Sequence, residues 1–462
     1  MIPQGRIKVL SEKEIQDKPY VVYWMQASQR TYMNHALEYA IGVANSLDKK
    51  LLVYFGLTDG YPEADRRHYS FMLQGLADVK RSLALRGIRM VVLKGRPDEG
   101  LEALRHMTSI IVTDRGYLKV QREWRKIAAE NSCCSMVEIE SDVIVPVEIT
   151  SEKEEFSAAT IRRKLEREMS EYSVLLYESE CNLKSIDDKL DLDELDITDE
   201  SILDSLNLPG ISIEVKGVTG GQERALKLLE EFVEEKLDTY GEGRNEPGSG
   251  NTSGLSPYMH FGQISPLQIY TRIFDSNSPG KAKFIDELVI RRELAINFVF
   301  YNKYYDSFQS LPDWARETLN KHLQDDREYL YDMSELEAGL THDIYWNAAQ
   351  NEMVLTGKMD GYMRMYWGKK ILEWSKTPEE AFNIAIELNN RYSLDGRDPS
   401  SYAGVAWCFG KHDRPWGERS IFGNVRYMND KGLRRKFDMA RYIEKVDNDK
   451  RVHGNGKEEH TP

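Results

Sequence analysis

Two hydrophobic rhythms divide the chain. Over the first 150 residues short apolar runs at 21–24, 51–55, 90–93 and 110–113, rich in Val, Ile, Leu and Tyr, alternate with stretches of helical spacing such as those from Asn34 to Leu47 and from Asp65 to Arg86. That alternation predicts a parallel, Rossmann-like α/β sheet. From about Gly221 to Val446 the apolar spacing becomes almost wholly helical, interrupted only by brief β-like pieces near 421–427. Ser265-Pro266 and Thr377-Pro378-Glu379-Glu380 mark helix starts, each an N-cap followed by proline at the first helical position. The segment 284–294 is expected to form a regular helix with Glu287 and Arg291 four apart on one side, beside Leu288, Leu294 and Ala295.

A second helical stretch, 358–374, carries two tryptophans seven residues apart. At about 1.5 Å of rise per residue the Cα atoms of Trp367 and Trp374 would lie roughly 10 Å apart, on a stripe with Asp360, Arg364 and Ile371. Such a stripe is either core packing or a hopping path for an electron.

Composition narrows the class. The 462 residues are 41% hydrophobic, and no apolar run approaches the roughly 20 needed to cross a bilayer, so a protein of two or three domains without membrane contact is expected. The N-terminus has no signal pattern, and four cysteines (Cys133, Cys134, Cys181, Cys408) make neither a disulfide framework nor a zinc site; a reducing, cytoplasmic setting follows, with no metal. The net charge of -14 is unevenly placed. Residues 178–204 hold 11 acids and 2 lysines, a net -9, within a solvated interdomain linker taken as 151–220. Residues 414–441 hold 8 Arg or Lys and 3 acids, a net +5, which makes a local basic surface within the helical domain of 221–462, whose tail is expected to fray from about 447.

One familiar site is missing, and three places could carry chemistry. No Gly-x-Gly-x-x-Gly follows the first strand, where Met25-Gln26-Ala27-Ser28 stands instead, so an ordinary NAD enzyme is disfavoured. The small-residue loop 248–257 leads into a helix and suits a phosphate, or is a plain turn with an N-cap; it lacks the Gly-Lys-Ser/Thr of a P-loop. Glu287 and Arg291 are either a surface couple or a pair lining a cavity, in which the carboxyl would hydrogen-bond a polar ligand and the guanidinium would meet a cofactor's anion. Finally, Lys411-His412-Asp413-Arg414-Pro415-Trp416-Gly417-Glu418-Arg419 interleaves cations with an aromatic, a combination that grips phosphates and wedges against bases. No Ser/His/Asp or Cys/His arrangement stands out among the nine histidines.

Together, residues 357–367 (GKMDGYMRMYW), 291–294 (RREL), 255–258 (LSPY) and 394–399 (LDGRDP) resemble class II cyclobutane pyrimidine dimer photolyases, in detail those of methanogenic archaea. The resemblance implies a photolyase/cryptochrome fold: an α/β antenna domain, a long linker and a helical domain holding FAD. It places Tyr240, Thr252, Ser253, Leu255 and Ser256 at the FAD diphosphate and Arg291, Arg364 and Asp395 around the cofactor, with Asn389, or its neighbour Asn390, facing the reactive ring nitrogen. Trp367, Trp346 and Trp374 become the proximal, central and exposed members of an electron relay. Glu287, Met365 and Trp407 meet the lesion, and Arg414, Trp416 and Arg426 fill or clamp the gap left in the duplex. One departure from other photolyase classes is the absence of a tryptophan one turn after the glutamate, where this chain has Ile290 and Arg291.

The implied activity is light-dependent repair of pyrimidine dimers in double-stranded DNA, by electron transfer from photoexcited reduced FAD to the flipped-out dimer; the alternative is a cryptochrome-like blue-light photoreceptor with the same flavin fold. A monomeric, nucleoid-associated cytoplasmic protein is expected, together with an antenna chromophore of 8-hydroxy-5-deazaflavin type or an empty antenna pocket.

Overall fold

The computed structural model describes residues 2–212 and 214–454. Six strands, β1 (Ile7–Ser11), β2 (Tyr20–Trp24), β3 (Lys50–Leu57), β4 (Arg89–Lys94), β5 (Thr108–Asp114) and β6 (Met136–Ile139), form one sheet in the order β1-β6-β5-β2-β3-β4. The four strands read from the sequence are β2 to β5, and all their pairings are parallel. The sheet is nevertheless mixed, because β1 adds to β6 antiparallel. Its short, largely solvated Ile-Lys-Val-Leu-Ser run is an edge strand with no two-sided burial to announce it.

Helix α1 (His35–Ser46) starts where Asn34 accepts the amide of Leu37 at 3.0 Å, and α2 (Arg66–Leu85) starts on a capping box closed by Asp65 and His68. At the end of β2, the amides of Gln26, Ala27 and Ser28 all point at the buried carboxylate of Asp114, 2.9–3.0 Å away, which Arg125 on α3 (Lys119–Asn131) also holds at 2.7 Å. The spot where a dinucleotide fold cradles phosphate is thus filled by the chain's own anion, which accounts for the missing glycine fingerprint.

The linker departs from the expected solvated tether. Residues 158–172 form a helix (Ala158–Tyr172), and the acidic stretch after it lies along the sheet edge: Leu195 donates its amide to Val92 O at 2.8 Å, Asp188 pairs with Lys50 at 2.5 Å and Glu194 with Arg89 at 2.6 Å. Its apolar members Ile197, Ile202 and Leu206 are buried under the sheet while most of its other acids face water. The docked segment covers the β4 edge that would otherwise be open to pairing.

In the helical half, Lys281–Ile285 runs into a π-helical turn, Asp286–Arg291, and on into α4 (Arg292–Tyr301) without a break. Four further helices frame the site: α5 (Ile344–Thr356), α6 (Gly361–Trp374), α7 (Pro378–Tyr392) and α8 (Pro399–Cys408). Ser265 and Thr377 cap their helices as expected, through the amides of Leu267 and Glu380. The terminal helix Met439–Gly454 is anchored where buried Glu352 on α5 takes Tyr442 Oη at 2.8 Å and Lys445 Nζ at 2.5 Å; of the tail expected to fray from about 447, residues to 454 are helical and the remainder lies outside the described residues. No strand forms at 421–427; a lone bridge between Arg419 and Gly423 is all that the β-like residues make there. The two halves are joined by buried polar contacts: Glu293 on α4 accepts the amides of Ile144 at 2.5 Å and Val145 at 3.4 Å, and Arg67 on α2 donates to Val354 O and Tyr392 O at 2.9 and 2.8 Å.

Candidate functional site

The π turn, the loop 252–256 and the facing ends of α6 and α8 enclose a cavity of about 410 Å³. Tyr240, Thr252, Ser253, Leu255, Ser256, Glu287, Arg291, Arg364, Met365 and Trp407 all line it, so residues spread over some 170 positions of sequence share one wall. The loop can follow this path because Gly248 and Gly254 take left-handed backbone, at φ 75° and 70°. Gly248 donates its amide to Asp360 at 2.8 Å, tying the loop to the start of α6.

Lys358 gained no role from sequence, yet its Nζ donates to Thr252 Oγ1 at 2.6 Å, and the loss of surrounding water pulls the ammonium below the ordinary lysine range. Two hydroxyls, Ser253 and Ser256, share the cavity wall with this cation. Arg364 Nη1 donates to Asn389 Oδ1 at 2.7 Å and its Nη2 lies 3.7 Å from Asp395 Oδ1. That Asp395 oxygen is buried and accepts no hydrogen bond, an open position for an N–H donor. Neither Asn389 nor Asp395 touches the cavity wall directly; both stand behind Arg364. Asn390 turns the other way, donating to Glu63 Oε2 at 2.5 Å while accepting the amide of Arg397 at 2.9 Å.

Glu287 and Arg291 both reach the cavity, but they are not a pair. The π turn carries one residue more per hydrogen-bonded ring than an α turn, so the i, i+4 alignment is lost. Glu287 instead meets Arg244 at 2.7 Å and Lys283 at 3.0 Å, while Arg291 leans on Asp286 at 3.8 Å and lays its guanidinium 5.6 Å from the ring of Trp407. His412, also on the wall, has φ 57°. Its Nδ1 lies 2.9 Å from Phe156 O, its Nε2 is buried without a hydrogen bond, and burial pushes its pKa down to about 4, so it is a neutral acceptor.

Behind the cavity stands a column of indoles. Trp367 and Trp346 stack with ring centroids 6.4 Å apart and planes within 6°, and Trp374 meets Trp346 edge-on at 5.7 Å. Trp367 Nε1 donates to Gln350 Oε1 at 2.9 Å and Trp346 Nε1 to Trp367 O at 3.0 Å, so each orientation is fixed. The expected exposed end is not exposed: Trp374 has 2% of its surface in water. Tyr331 and His342, from the segment before α5, cover it at centroid distances of 5.5 and 5.2 Å, and the cluster meets solvent at His342 itself and at Tyr329, stacked on His342 and 37% exposed.

On the outer surface the expected nucleic-acid residues do assemble. Trp416 is 41% exposed, and the guanidinium groups of Arg414 and Arg426 lie 5.5 and 5.1 Å from its ring. A second, narrow cavity of about 80 Å³ opens between the two halves, lined among others by Gln26, Tyr61, His68, Trp124, His260 and Arg397. Tyr61 and Trp124 meet there edge-on at 5.8 Å.

Known proteins match both the sequence and this layout. Residues 21–180 match the family model described as DNA photolyase. The chain is 49% identical to the deoxyribodipyrimidine photo-lyase of Methanothermobacter thermautotrophicus over 96% of its own length and 99% of that protein, and 38% identical to that of Arabidopsis thaliana over 96% and 93%. A photolyase of Sulfolobus tokodaii, solved with two FAD molecules, shares the fold with a TM-score of 0.70 over 95% of this chain and 94% of that one, at 16% identity. An α/β sheet domain docked on a helical domain that holds the cavity is therefore the photolyase/cryptochrome architecture. With relatives this similar over nearly their whole length, the chain belongs to the DNA photolyase family.

Proposed function

We propose that this protein binds FAD in the 410 Å³ cavity and uses light to split cyclobutane pyrimidine dimers in double-stranded DNA. The observation that carries the reading is a single cavity holding three kinds of wall: hydroxyls with an ammonium (Thr252, Ser253, Ser256, Lys358), the Arg364 guanidinium backed by an Asp395 carboxylate oxygen that accepts no hydrogen bond, and Glu287 with Met365 and Trp407. The hydroxyls and Lys358, with Tyr240 and Leu255 alongside, fit a diphosphate. The open Asp395 oxygen fits the imide N–H of an isoalloxazine, and Arg291 fits a nearby anion. When bound, reduced FAD supplies the light-driven electron that opens the cyclobutane ring.

The chain's own groups do the rest. Glu287, an acceptor already held by Arg244 and Lys283, would accept the N–H groups of the flipped-out dimer, while Trp407 packs on it and Met365 fills the remaining wall. Flipping costs a few kcal/mol, and less for a damaged pair, so the cavity favours lesions. Asn389 rather than Asn390 is assigned to the reactive ring nitrogen, since its amide is the one on Arg364. Trp367, Trp346 and Trp374 would pass an electron inward to reduce the cofactor, and Arg414, Trp416 and Arg426 would occupy the gap in the duplex. The narrow second cavity, aromatic with amide and guanidinium groups, is the candidate for an antenna chromophore of the 8-hydroxy-5-deazaflavin type, and at about 80 Å³ it would have to open to admit one.

The test is illumination of purified, chemically reduced protein with a duplex containing one thymine dimer. Monomeric thymines should form in blue light and not in the dark. Flavin bleaching and recovery in light with no monomer formed would favour a cryptochrome-like photoreceptor, and colourless protein would remove the flavin reading altogether.

A further inference from the structure

The loop carrying Trp416 is tied down from behind by a histidine that has no part in the cavity. His322 follows the helix Asp313–Lys321, and its ring is bracketed by two carboxylates: Nδ1 lies 2.6 Å from Asp325 Oδ2 and Nε2 3.1 Å from Glu418 Oε1. A neutral imidazole has one N–H, and donating to both acids requires two, so this geometry holds the imidazolium. The bond to Asp325 accordingly lifts the histidine pKa above its ordinary value, with Glu418 adding to it. Asp325 also accepts the amide of Ile421 at 2.8 Å and Ser420 Oγ at 3.0 Å, bonds that together with His322 hold it down to about 2. Lys321 reaches Glu418 at 2.6 Å, and Arg327 feels the charge of Asp325 from the other side.

The loop itself is closed and strained. Trp416 donates its amide to Asn424 O at 2.8 Å, Arg419 donates to Gly423 O at 2.9 Å, and Asn424 donates to Thr318 Oγ1 at 2.9 Å. Ile421, β-branched, is held at φ 68°, a conformation such a residue keeps only where its surroundings impose it. Gly423 lies so close to the helix that a Cβ there would come within 2.2 Å of Thr318 Oγ1. Two of the bonds that fix this turn end on Asp325, and a third runs from Glu418 to the same histidine.

We propose that His322 is a positioning residue for DNA: as the imidazolium it clamps the loop 416–424, through Asp325 and Glu418, in the conformation that presents Trp416, Arg414 and Arg426, and its deprotonation releases the loop and weakens binding. The proposal rests on the reading of this loop as a DNA surface. The sign follows from the raised pKa: the clamp is complete at and below the ordinary histidine range and is lost as pH rises through the raised value, when Glu418 or Asp325 loses its donor.

Fluorescence anisotropy with a dimer-containing duplex, from about pH 6 to about pH 9, tests it on the holoenzyme with His322→Gln, Asp325→Asn, Arg414→Ala and Trp416→Ala alongside. The dissociation constant of the unaltered protein should climb with pH. His322→Gln and Asp325→Asn should bind about tenfold more weakly at the acidic end, the scale of ordering a loop on binding, with the pH dependence flattened and the salt slope unchanged. Flavin absorbance and photoreduction report that these variants are folded, and Asp325→Asn stands in should His322→Gln lose its flavin. Arg414→Ala should instead lower the salt slope. Equal affinity and equal pH dependence of His322→Gln and the unaltered protein would overturn the clamp while Trp416→Ala still weakens binding; if Trp416→Ala and Arg414→Ala also have no effect, the loop is not a DNA surface and that reading falls instead.

Discussion

Single residues decide what the cavity can hold. Lys358 is a desolvated cation facing a hydroxyl, and an ammonium in such a place is at its most effective when an anion joins it. Lys358→Ala should weaken FAD retention by about 2 kcal/mol, or about thirtyfold in dissociation constant, measured as flavin lost on dialysis; undiminished retention would separate Lys358 from the diphosphate. Glu287 could be placed on the cavity from its own string, because a charged pair beside an apolar stripe carries a chemical reason, whereas Trp407 came only with the family resemblance. Lys358 and Arg244 were not legible, since their roles come from partners 106 and 43 positions away, Thr252 and Glu287, and no local pattern records such a contact.

At the scale of elements, helix periodicity found α6 and its tryptophan face but could not supply what stands opposite it. The middle indole, Trp346, comes from α5, and the cover over Trp374 comes from Tyr331 and His342, so both the continuity of the column and its burial are tertiary facts. The π turn escaped for a related reason: its apolar spacing matches an ordinary helix, and only the loss of the Glu287–Arg291 alignment reveals it. Because Trp346 touches both other indoles, Trp346→Phe should slow photoreduction of oxidised flavin by more than about tenfold, seen by flash absorption, whereas loss of an insulating packing residue alone would leave the rate near normal.

For the whole molecule, the halves meet through buried polar groups rather than apolar surface alone. Glu293 is the clearest: burial raises its carboxyl to about 8 although the amides of Ile144 and Val145 favour the charged form. A carboxyl with a raised folded-state pKa keeps its proton in the folded protein while the unfolded chain has released it. Stability from this group is therefore full below the ordinary glutamate range and declines as pH rises towards about 8. Glu293→Gln, which mimics the protonated acid, should flatten that decline and raise the melting temperature at alkaline pH, while Glu293→Ala, leaving two amides without an acceptor, should cost about 2 kcal/mol at acidic pH, a deficit that shrinks as the unaltered protein's own stability declines with rising pH; thermal melts across the range compare them. The alternating Leu-Asp pattern of the linker was read through its charge alone, and the apolar half of that alternation is what docks it on the sheet.

The account divides labour between the indole column, which readies the cofactor, and the Glu287 wall, which presents the damage to it. The yield of dimers split per absorbed photon by chemically pre-reduced protein tests that division most directly. Trp346→Phe should stay within about twofold of the unaltered protein, since the column is bypassed, and Glu287→Gln should fall at least about tenfold, since one preorganised contact to the reacting group is lost. A matching fall in both variants, or an undiminished yield in Glu287→Gln, would contradict it.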